Sequence, residues 1–355
     1  MSTTLHTPPG TTLGTAPMTG PRLPNWAPGL VAVVAVGLGA LTWLLGNAVA
    51  MGVLVTLLVQ VLGLPGWSLA VEGRRAAVDR MASGLVWTAF LVALAPLLWL
   101  VYTVVENGLD TLNPEFLTYS MRNVIGDTQG GLYHALLGTL LVTGMATLIS
   151  VPVGIFTAIY LIEYGRGRRM ARLITFLVDV MTGIPSIVAG LFALALFVLV
   201  MGPAVRFGFG GAVALSLLMI PTVVRSTEEM LRLVPDDLRE ASYALGVPKW
   251  RTIVKVVLPT ALGGIVTGVV LAISRVIGET APLLVVAGFT DSVNTNLFDG
   301  RMMTLPVFIY TQYTSATPKG LAYAWGGALV LILIVMVLNL VARVIGKIFA
   351  PKTGR

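Results

Sequence analysis

Long apolar runs follow one another along almost the whole of this 355-residue chain, and that pattern rules out a water-soluble fold. A helix rises about 1.5 Å per residue and must cross roughly 30 Å of hydrocarbon, so runs beyond about 18 residues are candidate spans. Spans are predicted at about 29–46, 48–64, 82–105, 134–162, 173–200, 211–227, 260–287 and 322–346. The apolar run 29–64 is too long for a single crossing, and Gly46-Asn47 near its middle is a turn signal; one long tilted helix is the alternative. Composition agrees: 56% of residues are hydrophobic and 11% charged, against roughly 25% charged in soluble domains. The predicted fold is an all-α membrane protein, a polytopic helical bundle with a six-span core and about two extra N-terminal spans.

The net charge of +7 would suggest nucleic acid in a soluble protein. Here the bases cluster between apolar runs, which points to the lipid bilayer and not to nucleic acid. EGRRAAVDR (72–80), EYGRGRRMAR (163–172), 228–258 and the tail KIFAPKTGR fall on one side, with 106–133, 202–210 and 288–321 on the other. The positive-inside rule then places both termini in the cytoplasm of a multi-pass plasma or inner membrane protein. Residues 1–28, rich in Thr, Pro and Gly, read as a disordered cytoplasmic tail without the charged n-region of a signal peptide. Residues 29–71 form a two-span extension, and 72–350 the main transmembrane domain. Cysteine is absent and the two histidines, His6 and His134, are far apart, so no metal site is suggested.

Two segments depart from the membrane pattern. Pro235-Asp236-Asp237 suits a helix start, and Gly246 suits its end. A second, basic helix is predicted from about Pro248 to Val257, making a compact cytoplasmic knob over 236–259; a solvated basic loop is the alternative. The span that follows carries Arg275 and Glu279. From Thr260, Arg275 lies about 22 Å along a helix, where a lone helix is penalised by about 2.5–3.5 kcal/mol for it. Four residues apart on one helix, Arg275 and Glu279 would share a face and could pair. The alternative is that Arg275 lines an anion path, its guanidinium matching oxyanion geometry. Thr182, Pro185 and Ser186 interrupt another span, with a kink at Pro185. Thr182 and Ser186 are either anion donors or hydroxyls bonded to their own helix. Asp179 and Arg225 are a candidate pair, unless Arg225 is an ordinary inner anchor. Gly263, Gly264 and Gly268 predict a close helix contact.

The pattern E-A-S-x3-G-x9-V-x-L-P over Glu240–Pro259 resembles the EAA loop of ABC importer permeases, with Ser242 and Val256 as small departures. STEEMLRLVPDDLREASYALGVPKW, DVMTGIPSIVAGLF and LAISRVIGETAPLL are similar to PstA-type permeases of phosphate importers. The resemblance covers roughly 80–350 and implies an ABC type-1 transmembrane domain. It implies that Glu240, Ala241, Gly246, Leu258 and Pro259 belong to a segment docking on a separate ATPase. It further implies a phosphate path past Arg275, Glu279, Thr280, Ser186, Thr182 and Arg225. The implied partners are a PstC-like permease, a PstB-like ATPase dimer and a PstS-like phosphate-binding protein. The chain would hold no cofactor, with ATP and magnesium on the ATPase, and no phosphate-binding G-x4-G-K-[ST] loop is present. A permease for sulfate or molybdate, an intramembrane enzyme and a membrane scaffold are the competing readings.

Overall fold

The computed structural model describes residues 22–46, 48–126, 128–203 and 205–348. Asn47 of the predicted turn, residues 1–21 of the predicted tail and residues 349–355 lie outside the described residues. Among the described residues the regular elements are all helical. They form two compact units, one up to Val101 and one from Tyr102 onward, whereas the sequence reading drew its boundary at 71/72.

In the first unit, α1 (Ala27–Leu44) and α2 (Val49–Val71) are separate helices on either side of a turn at Gly46, and α3 (Arg74–Gly108) begins just beyond. The two glycines Gly39 and Gly52 let α1 and α2 touch backbone to backbone. A Cβ on Gly39 would stand 2.6 Å from the Gly52 carbonyl, and one on Gly52 2.7 Å from that of Gly39. Trp26 meets Trp67 edge to face at 5.9 Å. The α2–α3 junction is pinned by Glu72. Its carboxylate accepts from the Leu23 amide (2.7 Å), the Ser68 hydroxyl (2.7 Å) and Arg80 (both oxygens, 2.8 Å). The Arg80 and Ser68 hydrogen bonds hold its carboxyl down to about 2.

The second unit continues through the short α4 (Pro114–Thr118), capped by the Asn113 side chain on the Phe116 amide at 2.7 Å. It then runs through α5 (Tyr133–Ile159), α6 (Arg169–Thr182), α7 (Ser186–Met201), α8 (Gly208–Arg232) and α9 (Asp236–Ala244). The remaining helices are α10 (Lys249–Thr252), α11 (Leu258–Val276), α12 (Ala281–Val286), α13 (Leu305–Thr314) and α14 (Pro318–Ile348). Helix α8 is the axis of this unit: its apolar stretch is 61% buried, against at most 33% for any other candidate span. Small residues bring α5 and α11 against it. Gly154 on α5 faces the Val223 side chain, and Gly264 and Gly268 on α11 face Met230 and Ser226. The predicted glycine contact is therefore with α8.

Three expectations need correction. The span predicted at 173–200 is two helices, α6 and α7, bent by 110° across Gly183–Pro185. Pro185 has no N–H, and its ring pushes Ile184 out of the helical region. Seven helices among the described residues are long and apolar enough to cross a membrane, and the bent pair makes an eighth if it counts as one span. The basic helix predicted to stop at Val257 does not stop: α10 passes through a π-turn at Ile253–Val257 straight into α11. That rod breaks after Val276, short of the predicted end at 287, and α12 follows. Within the predicted outer loop 288–321, α13 is a packed element. Leu305, Val307 and Phe308 are fully buried, and the Leu305 amide donates to Thr139 Oγ1 at 2.7 Å. The apolar run MMTLPVFIY (302–310) was the overlooked signal.

Candidate coupling surface and charged path

The polar segment is built as a lever fixed at one end. Asp236 and Asp237 sit in the first turn of α9, where carboxylates suit the helix dipole. The helix ends at Gly246, whose φ of 73° is readily adopted only by glycine. There the Val247 amide reaches back to the Ser242 carbonyl (3.2 Å) and the Gly246 amide to that of Tyr243 (2.9 Å), closing the last turn. Ser242 and Thr252 share a 2.8 Å hydrogen bond that locks α9 to α10. On this frame Glu240, Ala241, Gly246 and Pro259 are exposed and Leu258 half-buried.

The residue that holds α9 down is Arg239, the neighbour of the motif, which the sequence reading treated only as one of the inner bases. It is 7% exposed and uses its whole donor fork. Nε and Nη2 donate to Glu163 Oε1 at 3.1 and 3.0 Å, Nη2 to the Leu231 carbonyl at 2.9 Å, and Nη1 to the Val234 carbonyl at 2.7 Å and to Asp236 at 3.0 Å. Glu163 is turned inward by a π-turn at Tyr160–Tyr164 that ends the α5 rod. Lys249 donates to the Glu163 carbonyl and lies over the Tyr164 ring at 5.0 Å. A cavity of about 240 Å³ opens between Glu163, Arg166, Arg239, Glu240 and Lys249. In sequence, the one available signal was Glu163 itself, a lone acid beside a run of bases.

The predicted path residues fall at two levels. Arg225, on α8, pairs with Asp179 of α6 and with Glu228 at 2.7 Å. The Asp179 partnership was one of two readings left open; Glu228, 3% exposed, was not foreseen. Gly268 faces Ser226, so Arg275 stands seven residues, about 10 Å of helix, beyond the level of Arg225. The i,i+4 face predicted for Arg275 and Glu279 does not exist, because α11 ends at Val276 and Glu279 lies in the break. Among the described residues no ion pair joins them. Arg275 is exposed and Glu279 and Thr280 half-exposed on the surface of this chain. The Thr182 hydroxyl donates to the Val178 carbonyl at 2.9 Å, which occupies its proton; Ser186 heads α7.

The two breaks come together. A Cβ on Gly190, one turn beyond Ser186, would lie 2.6 Å from Pro282 Cα, two residues beyond Thr280. The α6–α7 and α11–α12 breaks therefore pack against one another; irregular backbone within a membrane is tolerated where it is buried in protein or lines a water-filled path.

Comparison with known proteins assigns this architecture. Residues 150–355 match the family model of binding-protein-dependent transport system inner membrane components. Phosphate transport system permease protein PstA 1 of Mycobacterium tuberculosis is 50% identical over 274 residues, covering 77% of this chain and 90% of that protein. The chain belongs to the PstA permease family. The permease is also 49% identical to PstA of Mycobacterium leprae over 269 residues (75% of this chain, 88% of that one) and 40% identical to PstA of Yersinia pestis over 275 (77% and 90%). Among solved structures, the MetNI methionine ABC transporter in inward facing conformations aligns with the permease at a TM-score of 0.49 and 20% identity, over 62% of this chain and 94% of that chain. The permease is a multi-pass inner-membrane transport subunit.

Proposed function

We propose that this chain is the membrane-spanning subunit of an ABC importer for inorganic phosphate. The observation that carries the reading is the 50% identity to a phosphate transport permease over 274 residues. The geometry supports a division of labour. The exposed face of α9, with Glu240 and Ala241, docks on a PstB-like ATPase dimer, which alone holds ATP and magnesium. Arg239 and Glu163 transmit the push to α5 and α8. Arg275 faces a path shared with a PstC-like permease, across which phosphate delivered by a PstS-like binding protein passes when ATP closes the ATPases. Its guanidinium has no hydrogen-bond or ion-pair partner among the described residues, and its planar donor fork matches an oxyanion. Thr280 and Ser186 contribute hydroxyls, Glu279 accepts a hydrogen bond from a P–OH group, and Arg225 with Glu228 forms the inner gate. Both termini lie in the cytoplasm.

Labelled phosphate uptake by cells with and without the chain, with sulfate and molybdate as competitors, tests this reading. Uptake that depends on the chain and resists both competitors is expected. Loss of sulfate or molybdate uptake in its place would assign another oxyanion.

A further inference from the structure

The end of the bundle opposite α9 carries two arginines that the path described above does not use. Arg206 precedes α8 and Arg301 precedes α13. A Cβ on Gly288 would stand 3.3 Å from Arg206 Cδ and 3.3 and 3.4 Å from Arg301 Cγ and Cδ, so both stems flank one point. The backbone enforces the meeting: the Phe207 amide donates to the Val286 carbonyl (3.2 Å) and the Met302 amide to the Ala287 carbonyl (3.1 Å). Gly288 itself turns with φ of 73°. The last carbonyls of α12 are thus engaged by backbone amides and not by the guanidiniums.

Neither arginine has a carboxylate within 4.0 Å among the described residues, although Asp291 and Asp299 lie on the same loop. Arg301 is exposed and lies over the Phe289 ring at 6.0 Å, while Arg206 is half-buried. A helix C-terminus offers about half a unit of negative charge, which does not balance two cations held side by side. Basic residues are also disfavoured on this side of a membrane protein. Two arginine stems that meet at one point, neither with a carboxylate partner among the described residues, can offer both guanidinium forks to one oxyanion.

We infer that Arg206 and Arg301, on either side of Gly288, form an entry site for phosphate at the mouth of the path. From there α12, six residues or about 9 Å long, leads back to the break that follows Arg275 at the end of α11. Arginines at two depths then step the anion inward, Arg206 and Arg301 and then Arg275, toward the level where Arg225 is held by Asp179 and Glu228. This site rests on the phosphate reading.

The test uses the full transporter complex in nanodiscs, without binding protein or ATP. Equilibrium binding of labelled inorganic phosphate is measured for wild type, R206Q/R301Q and R206K/R301K, alongside uptake in cells. The glutamine pair is expected to weaken binding and slow uptake at sub-saturating phosphate about tenfold, with the lysine pair retaining most of both. Wild-type binding and uptake in the glutamine variant would overturn the entry site while leaving the phosphate reading intact. So would a defect cured by raising the binding protein concentration, which would make the pair a contact for that protein's acidic side chains. Wild-type complex that takes up no phosphate would sink the underlying reading instead.

Discussion

Leucine in place of Arg239 should free α9 from the bundle. The Arg239 and Glu163 side chains are 9% and 5% exposed, so neither charge is relieved by water when its partner is removed. R239L leaves the Glu163 carboxylate buried without its fork, and the Leu231 and Val234 carbonyls without their donors. Breaking a buried pair on one side costs about 3–5 kcal/mol, and 1.4 kcal/mol is a factor of ten in an equilibrium. Amide hydrogen exchange over 236–244 should therefore accelerate at least about a hundredfold. Uptake should fail while the complex still hydrolyses ATP. E163L should behave alike, whereas E163L/R239L removes both charges together and should cost at least about 2 kcal/mol less than the sum of the singles. Protection in α9 within threefold of wild type in R239L, or singles that simply add, would show that the pair does not hold α9.

Gly246→Val forces a β-branched residue to φ of 73°. It should destabilise the end of α9 by about 1–2 kcal/mol, read as faster exchange at Gly246 and Val247 only. Gly264→Leu drives a side chain into Met230, whose Sδ would be 2.1 Å from the new Cβ; overpacking of about 1–3 kcal/mol should lower the Tm of the purified complex. Thr182→Ala should leave phosphate uptake within about twofold of wild type, since that hydroxyl is turned to Val178, and a larger loss would return it to the path. Glu72 tests the first unit by pH. Its folded carboxyl is lowered from 4.5 to about 2, so the stabilisation is complete above 4.5 and is lost as pH falls toward 2. Protection of the Leu23 amide, corrected for the intrinsic pH dependence of exchange, should fall across that window in wild type and stay constant in E72Q.

Helix content, the membrane class, the two N-terminal helices, the α9 boundaries and the glycine contact were all readable from local pattern. Apolar run length, a proline or an αL glycine acts within a few residues, and its consequence does not depend on the rest of the chain. The α6–α7 break was half-readable: Pro185 announced a kink, but a proline fixes only the lost hydrogen bond and not the 110° angle, which neighbouring helices set.

The site divides in the same way. The exposed motif residues Glu240, Ala241 and Gly246 stand where local chemistry put them. The Asp179–Arg225 pair could be proposed but not decided, and the Glu163 partner of Arg239 did not show, because it is 76 residues away in sequence. The shared face of Arg275 and Glu279 was a helical assumption, and Gly278 lies between them, at a break that periodicity over an apolar run cannot report.

By itself, then, the sequence determined that this chain crosses a membrane many times, that its bases cluster between the apolar runs, and that a capped polar helix interrupts the bundle. Those outcomes follow from hydration and backbone preference, which are properties of short stretches. Only the tertiary structure decided which charges are neutralised and which stand free. That distinction depends on distances across the bundle: it buries Arg239 on Glu163, ties Arg225 to Asp179 and Glu228, and leaves Arg206, Arg275 and Arg301 without a carboxylate partner among the described residues.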